Sequence, residues 1–406
     1  MAEYIGQAKI VNKIKSQISS GRVSNAFLFC GNPGMGKKTL AGLFAGVLLC
    51  EGSGASGDRE AGGDRGEGGP RGASGAGGAS VARGASGPGG ASEAARESDP
   101  QTPCRTCVTC RLLNNNASPD FRVVTTDKKS ISVDDIRYII DWTYIRPTYS
   151  SRKVYIIEDA DRMTAQAQNA LLKTLEAPPD YITAIMTLTN PQSLLETVRS
   201  RCVSWNFSNY SDDEVAAIIQ TKSANDEVTG IVQTKHANDE LTGIVQTKHA
   251  SADVARINRL CARIAAGSPG KAREIKFSDR YFDLRDFAIN LLYRHIEGDR
   301  SAMIQLYEYM EKNRDDFDIL TDILMCWLRD MWLFEASGDD KLLRNSDKKD
   351  IIQSLRGKCK ISDILNCIWE IEKIRIAIAA NASFQLALNV MFLKIRKLGK
   401  VGAINA

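Results

Sequence analysis

The sequence predicts an α/β fold with a parallel sheet over residues 1–206, followed by a helical region. The first reason is an apolar run at 26–30, then a glycine-rich loop and a helix-forming run at 40–49. This is the strand–loop–helix order of a phosphate-binding loop. The second reason is that strand patterns alternate with helical patterns up to residue 206, which is typical of a parallel sheet. From residue 210 onward, apolar residues recur at helical spacing.

Length and composition narrow the class of protein. With 406 residues the chain can hold two or three domains. No run of about eighteen apolar residues offers a membrane span. The first residues lack a basic stretch followed by an apolar one, so we expect no secretory signal and a cytoplasmic location. The formal net charge of +4 is too small to indicate nucleic-acid binding by itself.

The glycine-rich loop is the candidate nucleotide site. Gly31, Gly34 and Gly36 let the backbone curl so that its N–H groups point inward. Lys37 can then reach the outer phosphates, while the N-terminus of the following helix adds its partial positive charge. The loop is therefore a candidate site for ATP. A glycine-rich turn that holds no nucleotide is the alternative.

The residues expected to hold magnesium depart from the usual pattern. Lys38 stands where the loop pattern has Ser or Thr as a magnesium ligand, and Thr39 comes one residue late. Glu158 and Asp159 follow a buried strand, where the acidic motif of phosphate-loop proteins is found, but their order is reversed. These departures predict that hydrolysis of ATP with magnesium by this chain alone is doubtful.

Residues 51–102 have a different composition from the rest of the chain. Of the 32 glycines, 16 lie between residues 52 and 90, mixed with Ala, Ser, Arg and Glu. A segment with so few large apolar side chains cannot offset its ordering entropy. We therefore expect a disordered insertion.

Three of the ten cysteines crowd into one short segment after the insertion: Cys104, Cys107 and Cys110. Tetrahedral zinc needs four ligands, and Cys50, at the end of the helix that follows the loop, is the natural fourth. A site closed by four cysteines leaves no open position for catalysis, so the zinc would be structural. Buried free thiols are the alternative.

Periodicity predicts the remaining elements of the α/β region. Ser132 is a suitable cap for the helix that follows it, and Pro178 and Pro179 end a later helix. The predicted elements are a helix at 4–20, strands at 121–125 and 183–189, a strand at 153–161 that ends in acids, and helices after 132 and at 166–176.

The second half of the chain contains a repeat of period 13 at 220–250. Successive copies would turn their apolar positions about 140° apart on a helix, so a local duplication is a better explanation than a solenoid. After it come helices at 281–295, 303–310 and 319–334, and two helices within 361–398 joined near Asn381.

Three short motifs together resemble a known family. They are Asn169-Ala-Leu-Leu-Lys-Thr-Leu-Glu-Ala-Pro-Pro179, Asn190-Pro191 and Arg199-Ser-Arg-Cys202. The chain resembles the bacterial clamp-loader branch of the AAA+ ATPases, in subunits of DNA polymerase III. The delta-prime type is the most similar and the gamma/tau type is next.

The resemblance implies roles for individual residues. Lys37 would contact phosphates, Glu158 and Asp159 would form the acidic motif, and Thr189 and Asn190 would sense the γ-phosphate. Arg201 would be an arginine finger that acts on a neighbouring subunit's nucleotide. The family's zinc module corresponds to Cys50 and Cys104 to Cys110. In gamma/tau subunits an arginine stands in the lid where this chain has Gly270.

The resemblance also implies three domains and a function. The AAA+ domain would cover 1–206, a helical lid 207–277 and an all-α collar 278–406. The chain would help load the sliding clamp onto primer–template DNA, in a hetero-pentamer with gamma/tau and delta. One alternative is a gamma/tau-like subunit that hydrolyses ATP itself. The other is a zinc-stabilised DNA-binding or scaffold protein.

Overall fold

The computed structural model describes residues 4–51, 102–126, 130–222 and 251–399. Most of the predicted insertion and of the 13-residue repeat therefore lies outside the described residues. The chain divides into two compact units. The sheet unit comprises Met1–Tyr4, Lys9–Phe29 and Lys38–Trp205, and the helical unit comprises Ile5–Ala8, Cys30–Lys37 and Asn206–Ala406.

A five-stranded parallel sheet forms the centre of the sheet unit. Its strands are β1 Ala26–Cys30, β2 Phe121–Val124, β3 Lys153–Ile157, β4 Ile182–Leu188 and β5 Val203–Asn206. The strand order is β2-β3-β4-β1-β5, with Phe121 opposite Val154 and Lys153 opposite Ile182. Every residue of β1, β3 and β4 is buried, as expected for parallel strands covered on both faces. The predicted α/β sheet is confirmed.

Six helices accompany the described strands. They are α1 Ala8–Ser19, α2 Lys37–Leu49, α3 Val108–Asn114, α4 Val133–Thr143, α5 Ala165–Glu176 and α6 Glu196–Arg199. Ser132 caps α4 in a capping box, because its hydroxyl accepts from the Asp135 amide and the Asp135 carboxylate accepts from the Ser132 amide. The predicted cap is confirmed.

An aromatic cluster fixes the start of the first strand in the sheet unit. The Trp205 ring lies 4.7 Å from the Phe27 ring and 5.4 Å from the Phe29 ring, and Phe44 on α2 lies 5.2 Å from Phe27. Such ring pairs contribute about 0.5–1.5 kcal/mol each beyond their buried area. The cluster thus joins α2, β1 and β5.

The described part of the helical unit consists of helices and short turns. The helices are α7 Asp212–Lys222, α8 Ser251–Ile264, α9 Pro269–Phe277, α10 Tyr281–Ile296, α11 Arg300–Lys312, α12 Phe317–Ser337, α13 Lys349–Ser354, α14 Ile361–Ala379 and α15 Phe384–Ile395. Asn381, whose φ is +67°, separates helix α14 from helix α15, as predicted. Among the described helices, none has the length and apolar content needed to cross a lipid bilayer.

Candidate functional site

The phosphate loop, residues 31–36, needs glycine at two positions. Gly34 has φ +76° and Gly36 has φ +78°. Only glycine adopts this left-handed region without strain, because it has no Cβ. The backbone conformation therefore explains why glycine occupies positions 34 and 36.

The side chain of Lys37 folds back onto the phosphate loop. It is 6 % exposed, and its Nζ donates to the carbonyl oxygens of Gly31 and, at 2.9 Å, of Asn32. The Lys37 ammonium also opposes the effect of burial, which raises the pKa of the Cys30 thiol. The Lys37 ammonium is therefore bound by two backbone oxygens of the loop.

Donors from elsewhere in the helical unit hold the outer side of the loop. Together with Lys37 they satisfy six consecutive carbonyl groups, from Cys30 to Met35. The four donors are Phe207 N to Cys30 O (2.7 Å), Ser268 Oγ to Pro33 O (3.1 Å), Gly270 N to Gly34 O (2.9 Å) and the Tyr210 hydroxyl to Met35 O (3.3 Å). Protein hydrogen bonds therefore hold the loop in its observed shape.

Gly270 packs directly on the loop. A Cβ at this position would lie 2.6 Å from the Cα of Gly34, a distance that real Cβ atoms do not adopt. Position 270 is where the gamma/tau lid carries an arginine, according to the resemblance. In the observed conformation no side chain fits there.

In the sheet unit, Lys38 binds both acids that follow β3. Its Nζ lies 2.9 Å from Glu158 Oε2 and 3.1 Å from Asp159 Oδ2. Burial acts to lower the pKa of Lys38, but hydrogen bonds and attraction to the two carboxylates outweigh it and raise that pKa. The ammonium therefore sits on the oxygens that a magnesium ion would need, and these residues do not fit magnesium.

Three other predicted nucleotide-site residues lie in the sheet unit. Thr39 is half-buried on α2. Thr189 and Asn190 are exposed and directly follow β4, at the same edge of the sheet as Asp159. The Asn190 side chain accepts a hydrogen bond from the Gln192 amide at 2.9 Å, so it caps the turn that follows.

Arg201 follows α6 and precedes β5. Its Nη1 donates to the Thr197 carbonyl at 2.8 Å and to Ser200 Oγ at 3.4 Å. Its Nη2 lies 2.8 Å from Glu176 Oε1, and the Arg201 side chain is 35 % exposed. The guanidinium is thus held at the surface by two elements, α5 and α6.

Arg201 lies at the amino-terminal edge of the sheet. It lines a pocket of about 190 Å³ together with the first residues of β1, β4 and β5, which are Ala26, Ile182 and Val203. Glu158 follows the carboxyl end of β3, a strand of five residues. Because parallel strands rise about 3.3 Å per residue, roughly 16 Å of sheet separates the two edges.

The cysteine cluster (Cys50, Cys104, Cys107 and Cys110) brings four sulfur atoms together. All four Sγ atoms lie within 4.8 Å of one another. The Cys50–Cys107 and Cys104–Cys110 Sγ distances are both 4.0 Å. Zn–S bonds of about 2.3 Å in a tetrahedron place sulfurs about 3.8 Å apart, so the cluster could hold a zinc ion.

Backbone amides orient the sulfur atoms of the cluster. Cys104 N donates to Cys50 Sγ at 3.3 Å, Cys107 N to Cys104 Sγ at 3.3 Å and Cys110 N to Cys107 Sγ at 3.4 Å. Burial acts to raise the pKa of Cys104, but amide donors outweigh it and lower that pKa. A hydrogen bond with Cys50, followed by burial, raises the pKa of Cys110.

The sequence interpretation did not anticipate several contacts with these sites. Phe207, Tyr210, Ser268 and Gly270 donate to the phosphate loop, but all four are far from it in sequence. Gly270 was noted only as the position of a lid arginine. Glu176 lies within the motif 169–179, and only its contact with Arg201 reveals a role.

Comparisons with known proteins agree with these features. Residues 91–211 match the family model described as "DNA polymerase III, delta subunit". Over 213 residues the chain is 29 % identical to the DNA polymerase III subunit gamma of Buchnera aphidicola subsp. Schizaphis graminum, covering 52 % of this chain and 46 % of that one. Over 214 residues it is 25 % identical to Escherichia coli subunit tau, covering 53 % and 26 %. The chain thus spans less than half of these relatives.

Two solved structures are also similar. A gamma subunit-related protein of Thermotoga maritima matches with a TM-score of 0.33 and 19 % identity, over 69 % of this chain and 84 % of that one. The DNA clamp loader delta protein of Bacillus subtilis matches with a TM-score of 0.31 and 9 % identity, over 95 % and 99 %.

A glycine-rich loop that follows β1 and precedes α2 in a parallel sheet is the arrangement of a P-loop-like α/β domain. About half of the chain is homologous to the gamma and tau subunits of DNA polymerase III. Residues 91–211 carry its delta-subunit-like domain.

Proposed function

We propose that this chain is a clamp-loader subunit of the delta-prime type. It helps gamma/tau and delta subunits place the sliding clamp on primer–template DNA in the cytoplasm. It does not hydrolyse ATP, but supplies Arg201 to the nucleotide of a neighbouring subunit. The observation that carries this proposal is the ion pairing of Lys38 with Glu158 and Asp159.

The ion pairing argues against hydrolysis by this chain. Glu158 is 4 % exposed, so removing its cation would leave a buried charge without compensation. A magnesium ion would have to displace the Lys38 ammonium from both carboxylates. The pairing of Lys38 with both carboxylates therefore supports an accessory role.

The position of Arg201 supports action on another subunit. Its guanidinium lies at the amino-terminal edge of the sheet, whereas Glu158 and Asp159 follow the carboxyl end of a strand. An arginine about 16 Å of strand away from its own acidic motif cannot complete that motif. It is exposed, and so is available to a neighbouring chain.

The cysteine cluster supports a structural zinc site. Four thiolates so close together would repel one another strongly without a cation. Structural zinc contributes about 10–16 kcal/mol of apparent binding free energy in small zinc domains. With four cysteine ligands no coordination position remains for a substrate. The zinc would therefore fix α3 against the end of α2.

The domain boundaries and the assembly belong to the same proposal. Residues 1–206 would be the AAA+ domain, 207–277 the lid and 278–406 the collar that holds a hetero-pentamer together. The long apolar helices α12, α14 and α15 are the elements that would form the collar.

A reconstituted complex tests the function. The full chain would be mixed with gamma/tau-type and delta-type subunits, and DNA-stimulated ATP turnover would be measured with Arg201→Ala. We expect turnover at the neighbouring site to fall by about 10³-fold, the typical effect of losing an arginine finger. Arg137→Ala, an exposed arginine on α4, serves as the control and should change nothing.

Three outcomes would contradict the proposal. Full turnover with Arg201→Ala would show that Arg201 is not an arginine finger. ATP turnover by the isolated chain that disappears with Lys37→Ala would favour a gamma/tau-like motor. Failure to associate with either partner subunit would favour the zinc-stabilised scaffold.

A further inference from the structure

Glu176 contacts the proposed arginine finger and belongs to a different element. It is the last residue of α5, and its Oε1 lies 2.8 Å from Arg201 Nη2. On the other side of the guanidinium, the Thr197 carbonyl of α6 accepts from Nη1 at 2.8 Å. The guanidinium is thus held by one charged acceptor, Glu176, and two neutral acceptors, the Thr197 carbonyl and Ser200 Oγ.

The guanidinium keeps a donor that these three acceptors do not use. Arginine has five N–H donors in a planar fork. Among the described residues, Arg201 has partners at Nη1 and Nη2, and none is found at Nε. Nη1 and Nη2 therefore have partners, while the Nε–H group can still donate to an incoming anion.

The pair is weak enough to exchange partners. The side chains of Arg201 and Glu176 are 35 % and 53 % exposed. Ion pairs at this level of exposure shift an equilibrium by about two- to fivefold. A polyphosphate offers several charged oxygens and can accept two N–H bonds from one guanidinium, so it competes well with a single carboxylate.

We infer that Glu176 is a gate on Arg201, an inference that rests on the finger role proposed above. In the resting chain its carboxylate occupies Nη2 and offsets the positive charge of the guanidinium. The polyphosphate of a neighbouring subunit must displace this carboxylate before Arg201 can bind it with both Nη2 and Nε. Glu176 thereby sets how much nucleotide is needed to engage the finger. It is a positioning residue that touches no substrate.

The substitution Glu176→Gln isolates the effect of the charge. Glutamine keeps the size of the side chain and an oxygen that accepts from Nη2, so Arg201 stays in place. Only the competing charge is lost. The matched control is Glu196→Gln, which removes the same charge from an exposed position at the start of α6.

The first measurement uses the complete complex. The ATP concentration that gives half-maximal turnover should fall about two- to fivefold with Glu176→Gln. It should not change with Glu196→Gln. An unchanged or raised half-saturating concentration with Glu176→Gln overturns the gate.

The second measurement uses the isolated full chain and needs no turnover. Arg201 is labelled with phenylglyoxal, and inorganic tripolyphosphate is added as a protecting anion, with labelling read by mass spectrometry. Glu176→Gln should lower the half-protecting tripolyphosphate concentration about two- to fivefold. Coincident protection curves for the variant and the unmodified chain overturn the gate.

The two measurements separate the gate from the finger. If Arg201→Ala abolishes turnover at the neighbouring site but Glu176→Gln shifts neither curve, only the gate is wrong. If the complex keeps full turnover with Arg201→Ala, the finger is wrong, and the gate is overturned with it even if labelling shifts.

Discussion

The amide of Gly270 donates a hydrogen bond of 2.9 Å to the carbonyl of Gly34, and no side chain fits between these residues. A Cβ on Gly34 would lie 2.4 Å from Ser268 Oγ, and a Cβ on Gly270 would lie 2.6 Å from Gly34 Cα. Two glycines from distant parts of the chain therefore depend on each other. Together they join the phosphate loop to the N-terminus of α9.

The substitution Gly270→Ala should loosen the phosphate loop. The added methyl group must push Gly34 away, and forced overpacking typically costs about 1–3 kcal/mol. We expect faster hydrogen exchange at the amides of residues 31–36, measured by mass spectrometry. Gly46→Ala is the control, since its Cβ would meet only Pro103 at 3.5 Å and alanine favours a helix. Equal exchange in both variants would contradict the prediction.

The substitution Lys38→Thr should create a response to magnesium. It removes the cation from Glu158, which is 4 % exposed, and it adds a hydroxyl. Because Lys38 is 39 % exposed, we expect a loss of only about 1–2 kcal/mol in the free energy of unfolding. Added magnesium should recover part of that loss in thermal unfolding. Lys38→Arg keeps the charge and should not respond, and a magnesium response in the unmodified chain would contradict the prediction.

Replacing one cysteine of the cluster should remove a metal ion. We expect one zinc per chain by elemental mass spectrometry, and none bound tightly in Cys107→Ser. Loss of the site should lower the thermal midpoint, since zinc binding and folding are coupled. Cys261→Ser is the control, because this buried thiol lies outside the cluster. Absence of zinc from both the unmodified chain and Cys261→Ser would show that the cluster is a group of free thiols, and one zinc in Cys107→Ser would show that Cys107 is not a ligand.

Asp299 should make the helical unit sensitive to acid. Hydrogen bonds from Ser301 and Arg294 lower the pKa of this carboxyl from 3.8 to about 2. Its contribution to stability is therefore present above pH 3.8 and is lost as the pH falls toward about 2. Asp299→Asn should unfold at a lower temperature than the unmodified chain near neutral pH, and the difference should vanish at about pH 2. A difference that stays constant with pH would refute this.

The local pattern of the sequence was sufficient for most elements of the fold. β1 has its predicted bounds because five consecutive apolar residues lie between turn signals. Ser132 caps α4 because its side chain accepts a hydrogen bond from a backbone amide of the first turn. The chain turns at Asn381 because asparagine tolerates a positive φ. β5 was missed because Trp205 is its one buried residue, so neither alternation nor a continuous apolar run marks it.

The candidate site was less predictable because its contacts are long-range. The sequence identifies Lys38 as a departure from the loop pattern, but not that it would bind Glu158 and Asp159. Gly270 looks like a missing arginine in the sequence, whereas the structure gives it a packing role against Gly34. In both cases the partner lies more than a hundred positions away, where spacing rules do not reach.

The cysteine cluster also determines where the chain tolerates a replacement. Cys50 and Cys104 have sulfur atoms within 4.8 Å, so the backbone before residue 51 and the backbone after residue 103 lie close together. By chain entropy, halving or doubling the number of residues that connect two such points changes the free energy of closure by only about 0.6 kcal/mol. A fluorescent protein or affinity tag could therefore replace residues 52–101 and report on the assembly.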